Sequence, residues 1–124
     1  MIFYHWTTKE ALPSIKEFGL VPRRGQHCLD IRDRTQAMVF LCKEEDLDFW
    51  RNCFYDVEVL VAVEIDDTFM HSNMKWRRMI SAPSKMEYAS QVEIPKEMII
   101  DIKIIDRDDF ETEKRQYNQK YHKE

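Results

Sequence analysis

The histidines are the first residues to consider for chemistry, because imidazole serves as a metal ligand, a general base and a hydrogen-bonding group. The chain has four, His5, His27, His71 and His122, and none has the HxxxH or HxH spacing of a local metal site. His5 differs from the others because it lies in the aromatic-rich segment Phe3–Trp6, which is followed by two threonines. A lone histidine among aromatic residues is typical of a structural position, so its type alone assigns no function.

Several enzyme classes lack the sequence features that they require. The chain has only two glycines and contains neither GxxxxGK[ST] nor GxGxxG, so glycine-rich phosphate loops of these kinds are excluded. It has no local Ser-His-Asp or Cys-His nucleophile signature. The three cysteines, Cys28, Cys42 and Cys53, are an odd number without a CxxC pair, which argues against a disulfide scaffold or a zinc ribbon.

Hydrophobic periodicity predicts the elements that position His5 and any partner group. Strands are predicted at 2–6, 38–42, 57–65, 87–92 and 99–105, and helices after Thr8 and over 44–54. In the first helix Leu12 and Ile15 lie on the buried side, and Gly19 ends it. The segment 74–79 is compatible with a strand or a loop. Early helices and later strands indicate an α+β domain.

The order of these segments resembles the ADP-ribosyltransferase-like superfamily. Residues 4–8 read YHWTT, 12–15 read LPSI and 18–20 read FGL, similar to the family pattern YHxT…LxxI…xGL. The segment 87–99, EYASQVEIPKEMI, is similar to the family's late strand, in which a glutamate precedes an I-P-x-x-I turn. Val39–Leu41 stands where the family has its middle strand. The chain looks closest to the DNA-targeting ADP-ribosyltransferase toxins and more distantly like the RNA 2′-phosphotransferases.

The resemblance implies an NAD site in a cleft between two sheets, with His5 and Glu87 as the catalytic pair. His5 would hydrogen-bond a ribose hydroxyl of the adenosine half, and the Trp6 backbone and Thr7 hydroxyl would hold the nicotinamide end. Phe40 would pack against nicotinamide, although a core position is the simpler interpretation. Glu87 would be the catalytic acid, because cleavage of the nicotinamide–ribose bond develops oxocarbenium character that a carboxylate stabilises.

Alternatives stay open for these assignments. Glu87 is equally compatible with a solvent-facing strand position, and Gln91 and Glu93, on the same face of a regular strand, are the other candidates. The middle strand carries Phe40 where the family has a tyrosine-type aromatic residue. The chain is also small for the family, with little room for an acceptor-binding insertion. Both departures are compatible with a trimmed enzyme or with a non-catalytic fold.

Two basic segments provide candidate phosphate contacts. The pyrophosphate of NAD carries two negative charges, and arginine binds phosphate in a bidentate manner. Arg23 and Arg24 are the candidates, in a segment that we interpret as a loop (21–36) and that also contains Arg32 and Arg34. A solvated loop with internal salt bridges is the alternative.

The second basic segment is Lys75-Trp76-Arg77-Arg78. It would hold a nucleic-acid acceptor by phosphate contact and stacking. It would equally suit an edge strand that charges protect from pairing with other chains.

Composition bounds these interpretations. A chain of 124 residues with 44% hydrophobic residues predicts a single folded domain, which we divide into an ADP-ribosyltransferase-like domain (1–105) and a charged C-terminal helix or tail (106–124). The net charge of −4 argues against bulk attraction to nucleic acid. No apolar run approaches the length of a membrane span, and no signal-peptide pattern is present, so we expect no membrane partner and a cytoplasmic location.

The sequence therefore predicts an α+β, ADP-ribosyltransferase-like split β-sandwich with early helices and a C-terminal helical tail. The predicted function is that of a toxin-like, NAD-dependent ADP-ribosyltransferase acting on a macromolecule, either nucleic acid or protein. A non-catalytic module that binds a nucleotide or a partner on the same fold is the alternative.

Overall fold

A computed structural model describes residues 1–24, 37–53, 58–79 and 82–105 of the chain. Within these ranges the chain forms seven strands and three α-helices. In chain order they are β1 (Ile2–Thr7), α1 (Leu12–Phe18), β2 (Arg23–Arg24), β3 (Ala37–Leu41), α2 (Leu47–Cys53), β4 (Val59–Glu64), α3 (Asp67–Asn73), β5 (Met74–Arg78), β6 (Met86–Ser90) and β7 (Ile99–Ile104). The predicted C-terminal helix or tail, 106–124, lies outside the described residues.

The strands form two antiparallel sheets. The first sheet has the order β1-β4-β7 and the second the order β2-β3-β6-β5. One isolated bridge between Tyr4 of β1 and Cys42, directly after β3, joins the two sheets through a reciprocal pair of backbone hydrogen bonds, each 2.8 Å long. The mixed composition of helices and antiparallel sheets confirms the predicted α+β class.

The main core is filled by alternate residues of the first sheet. Phe3 of β1 pairs with Val63 of β4, and both are fully buried, as are Val59 and Val61. The Phe3 ring contacts the Tyr88 ring of β6, with centroids 5.1 Å apart, so this core lies between the two sheets. Each of these side chains contributes roughly 1.5–3 kcal/mol by leaving water. The β-branched alternation that predicted a strand here is therefore also what joins the sheets.

Helix α1 packs on the main core through Leu12 and Ile15, as its sequence predicts. Gly19 ends the helix with a φ of +83°, a region that residues with a Cβ avoid. The chain then forms a bridge from Leu20 to Ile94 with two hydrogen bonds of 2.9 Å. Gly19 lies so close to this second segment that an added Cβ would meet the carbonyl oxygen of Ile94 and come within 2.7 Å of the Lys96 amide nitrogen.

A second, smaller core lies under α2. Cys42, Trp50 and Met79 are buried there, and the rings of Tyr4 and Trp6 pack against them. Burial, together with the nearby carboxylates of Asp46 and Glu45, raises the pKa of the Cys42 thiol to about 12. The thiol is therefore neutral and behaves as a small apolar residue.

The structure corrects two of the predicted boundaries. Residues 23–24 form the short strand β2, paired with β3, whereas the sequence predicted a loop over 21–36. Strand β6 ends at Ser90 and not at Val92, because the Ser90 hydroxyl donates to the Val92 carbonyl oxygen at 2.7 Å and turns the chain. Helix α3 was not predicted, although Asp66 caps it by accepting from the Phe69 amide at 2.7 Å.

Replacing Gly19 with alanine tests the close approach of the two segments. We expect Gly19→Ala to lower the free energy of unfolding by at least about 2 kcal/mol, because a positive φ and a backbone clash are both imposed. Urea denaturation measures the change. Lys16→Ala, at an exposed position of α1, is the matched control and is expected to be nearly neutral. Equal stability of the two variants would contradict the assigned packing.

Because the pKa of the Cys42 thiol is raised, we expect the folded protein to lose stability at alkaline pH. The unfolded thiol ionises near pH 9.0, whereas the folded thiol stays protonated up to about pH 12. The folded state therefore binds more protons in this window, and stability falls as pH rises. Between pH 9 and pH 10.5 the loss from this group is roughly 2 kcal/mol. Denaturation of the wild type and of Cys42→Ala at each pH separates the contribution of the Cys42 thiol from the titration of tyrosines and lysines. If the two proteins lose stability equally as the pH rises, the prediction is wrong.

Candidate functional site

His5 lies where the two sheets separate. On β1 it comes directly after Tyr4, the residue that bridges to Cys42, and its side chain crosses to the second sheet. Its Nδ1 donates to the Phe40 carbonyl oxygen at 2.7 Å. Because a carbonyl oxygen only accepts, this bond requires the proton on Nδ1 and makes Nε2 the acceptor nitrogen of the neutral ring. The contact fixes the orientation of the imidazole.

The neighbours of His5 have mainly structural contacts. The Trp6 indole N–H donates to the Leu47 carbonyl oxygen at 3.3 Å, and the Arg51 guanidinium lies 5.5 Å from the Trp6 ring centroid. The carbonyl oxygen of Thr7 accepts from the Glu58 amide at 3.0 Å. The Trp6 ring is therefore committed to the smaller core, and the predicted nicotinamide contacts of Trp6 and Thr7 stay predictions.

Phe40 does not belong to either apolar core. Its neighbours Val39 and Leu41 point into the main core, so alternation along β3 places Phe40 on the opposite face, where it is half-buried. It shares that face with Ala89 of β6, its partner in the ladder. This position does not favour the interpretation of Phe40 as a core residue.

Arg23 and Arg24 form β2 and pair through their backbone with Met38 and Ala37 at the edge of the second sheet. The rest of their predicted loop, with Arg32 and Arg34, lies outside the described residues.

Glu87 is buried on the same face of the second sheet. It retains only 5% exposure, so the solvent-facing alternative is not what the structure shows. Arg77, its direct partner on β5, places Nη2 3.2 Å from Glu87 Oε2 and keeps a third of its side chain exposed. A buried carboxylate needs such a partner, because leaving it without one costs several kcal/mol. The other two candidates, Gln91 and Glu93, lie beyond the end of β6 and are exposed.

A cavity of about 470 Å³ opens beside this ion pair. Glu87 and Ala89 line it from β6, and Lys75 and Arg77 line it from β5. The remaining lining residues are Met38, Met74 and Trp76. The cavity thus combines one carboxylate, two cationic side chains and an apolar wall, which suits a ligand with both anionic groups and hydroxyl groups.

His5 and Glu87 both lie near β3, but on opposite faces of the second sheet. Phe40, whose carbonyl binds His5, pairs with Ala89, two residues from Glu87. However, His5 and Phe3 are two residues apart on β1 and so lie on the same face of the strand, and Phe3 packs against Tyr88. Tyr88 and Glu87 are adjacent on β6 and so face opposite ways. The described contacts place the two candidates on either side of the second sheet, with β3 between them.

The basic segment 75–78 is an edge strand, which the second of its two interpretations predicted. Alternation places Lys75 and Arg77 on one face and Trp76 and Arg78 on the other, and Trp76 also borders the cavity at the edge of the sheet. Arg78 donates to the Pro83 carbonyl oxygen at 3.3 Å, and the Trp76 ring lies edge-on to His71. Lys75, Trp76 and Arg77 therefore border one cavity, whereas Arg78 contacts the Pro83 carbonyl, and the nucleic-acid contact of the segment stays a prediction.

Comparison with known proteins adds no assignment, since neither a family model nor a curated protein matches the chain. Groups of three or more side chains able to hold a metal ion are absent from the described ranges. None of the helices in the described part of the chain has the length and apolar character that a membrane crossing requires.

The link between Arg77 and Glu87 was missed by the sequence analysis, which assigned the two residues to separate tasks. Opposite charges at 77 and 87 are a usable signal only when the strand register is known. Seven residues separate β5 from β6, too many for a tight turn that would set the register.

Replacing Arg77 tests how much the Arg77–Glu87 ion pair contributes to stability. We expect Arg77→Met to lower the free energy of unfolding by about 1–3 kcal/mol, because the buried Glu87 carboxylate loses the Arg77 guanidinium that lies 3.2 Å from it. Lys75→Met, an exposed neighbour on the same face, is the control and is expected to change stability by less than about 0.5 kcal/mol. The double variant Arg77→Met/Glu87→Gln is expected to recover part of the loss. Additive effects in this double-mutant cycle would rule out direct coupling.

Proposed function

We propose that the chain is an NAD-dependent ADP-ribosyltransferase with an ADP-ribosyltransferase-like fold, acting on a nucleic acid or a protein. The observation that carries the proposal is Glu87, a carboxylate at the expected place in the motif order that lines a cavity and is held by an arginine. The YHxT and helix–GL motifs, and a sandwich of two sheets joined at one bridge, support it further.

The proposed reaction transfers ADP-ribose from NAD⁺ to an acceptor. The bond between nicotinamide and C1′ of the ribose breaks, and nicotinamide leaves with the bonding electron pair. The acceptor oxygen or nitrogen then forms a bond to C1′ and loses a proton. Positive charge develops on the ribose during this exchange, so a carboxylate near the ribose 2′-OH lowers the barrier.

Glu87 suits this role because the Arg77 guanidinium lies 3.2 Å from its carboxylate and favours negative charge at this buried position, which the transition state requires. Lys75 and the exposed part of Arg77 face the cavity, where they suit the pyrophosphate. In this arrangement His5 lies on the far side of β3, where it positions the Phe40 backbone and does not contact a ribose bound beside Glu87.

The alternative is a non-catalytic module that binds a nucleotide or a partner. The same ion pair favours it, because a carboxylate that already has a salt bridge needs no chemical role to explain its burial. The two functions differ in one measurable respect: only the enzyme releases nicotinamide.

Glu87→Gln separates the two functions. If the proposal holds, the purified protein releases nicotinamide from NAD, and Glu87→Gln lowers the rate by about 10²–10³-fold while NAD still raises the melting temperature. The matched control is Glu93→Gln, an exposed position beyond β6, which is expected to keep the wild-type rate. An NAD-dependent thermal shift without nicotinamide release would support the binding module. Neither a shift nor release would refute both functions for NAD.

A further inference from the structure

Among the described residues, strand β7 is an edge strand of the first sheet. The order β1-β4-β7 places it at the end, and among the described residues it pairs only with β4. Two of its isoleucines, Ile100 and Ile104, are more than half exposed, and Asp101 and Lys103 are exposed as well. An exposed strand edge with apolar side chains is a site for pairing with another strand.

The sequence of this edge is complementary to itself. Residues 99–105 read IIDIKII. If two copies pair in antiparallel fashion about a two-fold axis at Ile102, Asp101 of each copy lies opposite Lys103 of the other. Ile102 then faces Ile102. In the regular part of the strand, 101–103, each charged residue is opposite its counter-charge and isoleucine is opposite isoleucine, and such cross-strand pairs stabilise sheets.

Only this register gives that complementarity. Paired residues must share a face, so the register can change only in steps that keep odd residues opposite odd ones. An axis at Asp101 places aspartate against aspartate, and an axis at Lys103 places lysine against lysine. The β-bulge in the β4 ladder, between Ala62 and Val63, lies at the Ile100 end and leaves the pairs at 101, 102 and 103 beyond it.

The β5 edge of the second sheet, as far as the described residues show, provides a contrast. Strand β5 carries Lys75, Arg77 and Arg78 and no acidic residue, so two copies of it would bring cations together. Positive charge is a common protection of an edge against pairing. Strand β7 lacks that protection, because its two charges have opposite signs and are placed symmetrically about Ile102.

We propose that the chain forms a homodimer in which the two β7 strands pair in antiparallel fashion about Ile102. The two three-stranded sheets then become one six-stranded sheet with the order β1-β4-β7-β7-β4-β1. This surface is separate from the cavity beside Glu87, which lies on the second sheet.

Charge exchange tests the dimer in the full-length protein. Sedimentation velocity over a wide range of concentrations is expected to show a monomer–dimer equilibrium for the wild type, weaker at high salt. Asp101→Lys and Lys103→Asp each replace two attractive pairs with two repulsive ones, so each is expected to raise the dimer Kd at least about tenfold. The double variant Asp101→Lys/Lys103→Asp restores opposite charges and is expected to dimerise like the wild type.

Mixing the two single charge variants is the most specific test of the proposed register. An equimolar mixture of the Asp101→Lys and Lys103→Asp proteins pairs lysines with aspartates at both positions, so the mixture is expected to dimerise although neither variant alone does. Circular dichroism verifies that the exposed substitutions leave the fold intact. A wild type that stays monomeric at every concentration, or variants that dimerise as well as the wild type, would overturn the proposal.

Discussion

The bridge between Tyr4 and Cys42 is the constraint on which the arrangement of the molecule depends. Two backbone hydrogen bonds of 2.8 Å attach β1 to the residue after β3, and within the described residues the ladder goes no further. The two sheets are therefore joined at one point and separate beyond it. The Phe3–Tyr88 contact and the buried valines of β4 then hold the separating sheets together by burial of apolar surface. His5, directly after the bridge, spans the opening by its bond to the Phe40 carbonyl.

This bridge also determines which side chains face each other. Paired residues share a face, so Tyr4 and Cys42 lie together in the smaller core, while Phe3 and His5 lie on the other side of β1. The same alternation places Tyr88 in the main core and Glu87 on the face with the cavity. The polar pair Arg77–Glu87 can therefore be buried without interrupting either core.

The sequence predicted the elements better than their partners. The strands β1, β3, β4 and β7 have clear apolar patterns, and Gly19 and Ile15 behave as the helix pattern requires, because these signals are local. Helix α3 was missed because its seven residues, with one methionine and one phenylalanine, show no clear helical periodicity. The sequence could not predict which face of the second sheet His5 and Glu87 lie on, because this depends on the strand order and on where the two sheets separate. Glu87 was identified only by its place in a motif order, and its arginine partner required the register.

The Arg77–Glu87 pair is compatible with catalysis and with structure for the same physical reason. An oxocarbenium-like transition state needs a carboxylate that is charged, and a buried carboxylate is charged only if a cation or several donors stabilise it. A guanidinium at 3.2 Å provides this, and it would do so whether or not a substrate ever binds. Burial and pairing therefore do not separate the two roles; access to the carboxylate does. Glu87 lines a cavity of about 470 Å³ together with Ala89, Lys75 and Arg77. A catalytic role requires a substrate group to reach the carboxylate through this cavity, whereas a purely structural pair requires no such access.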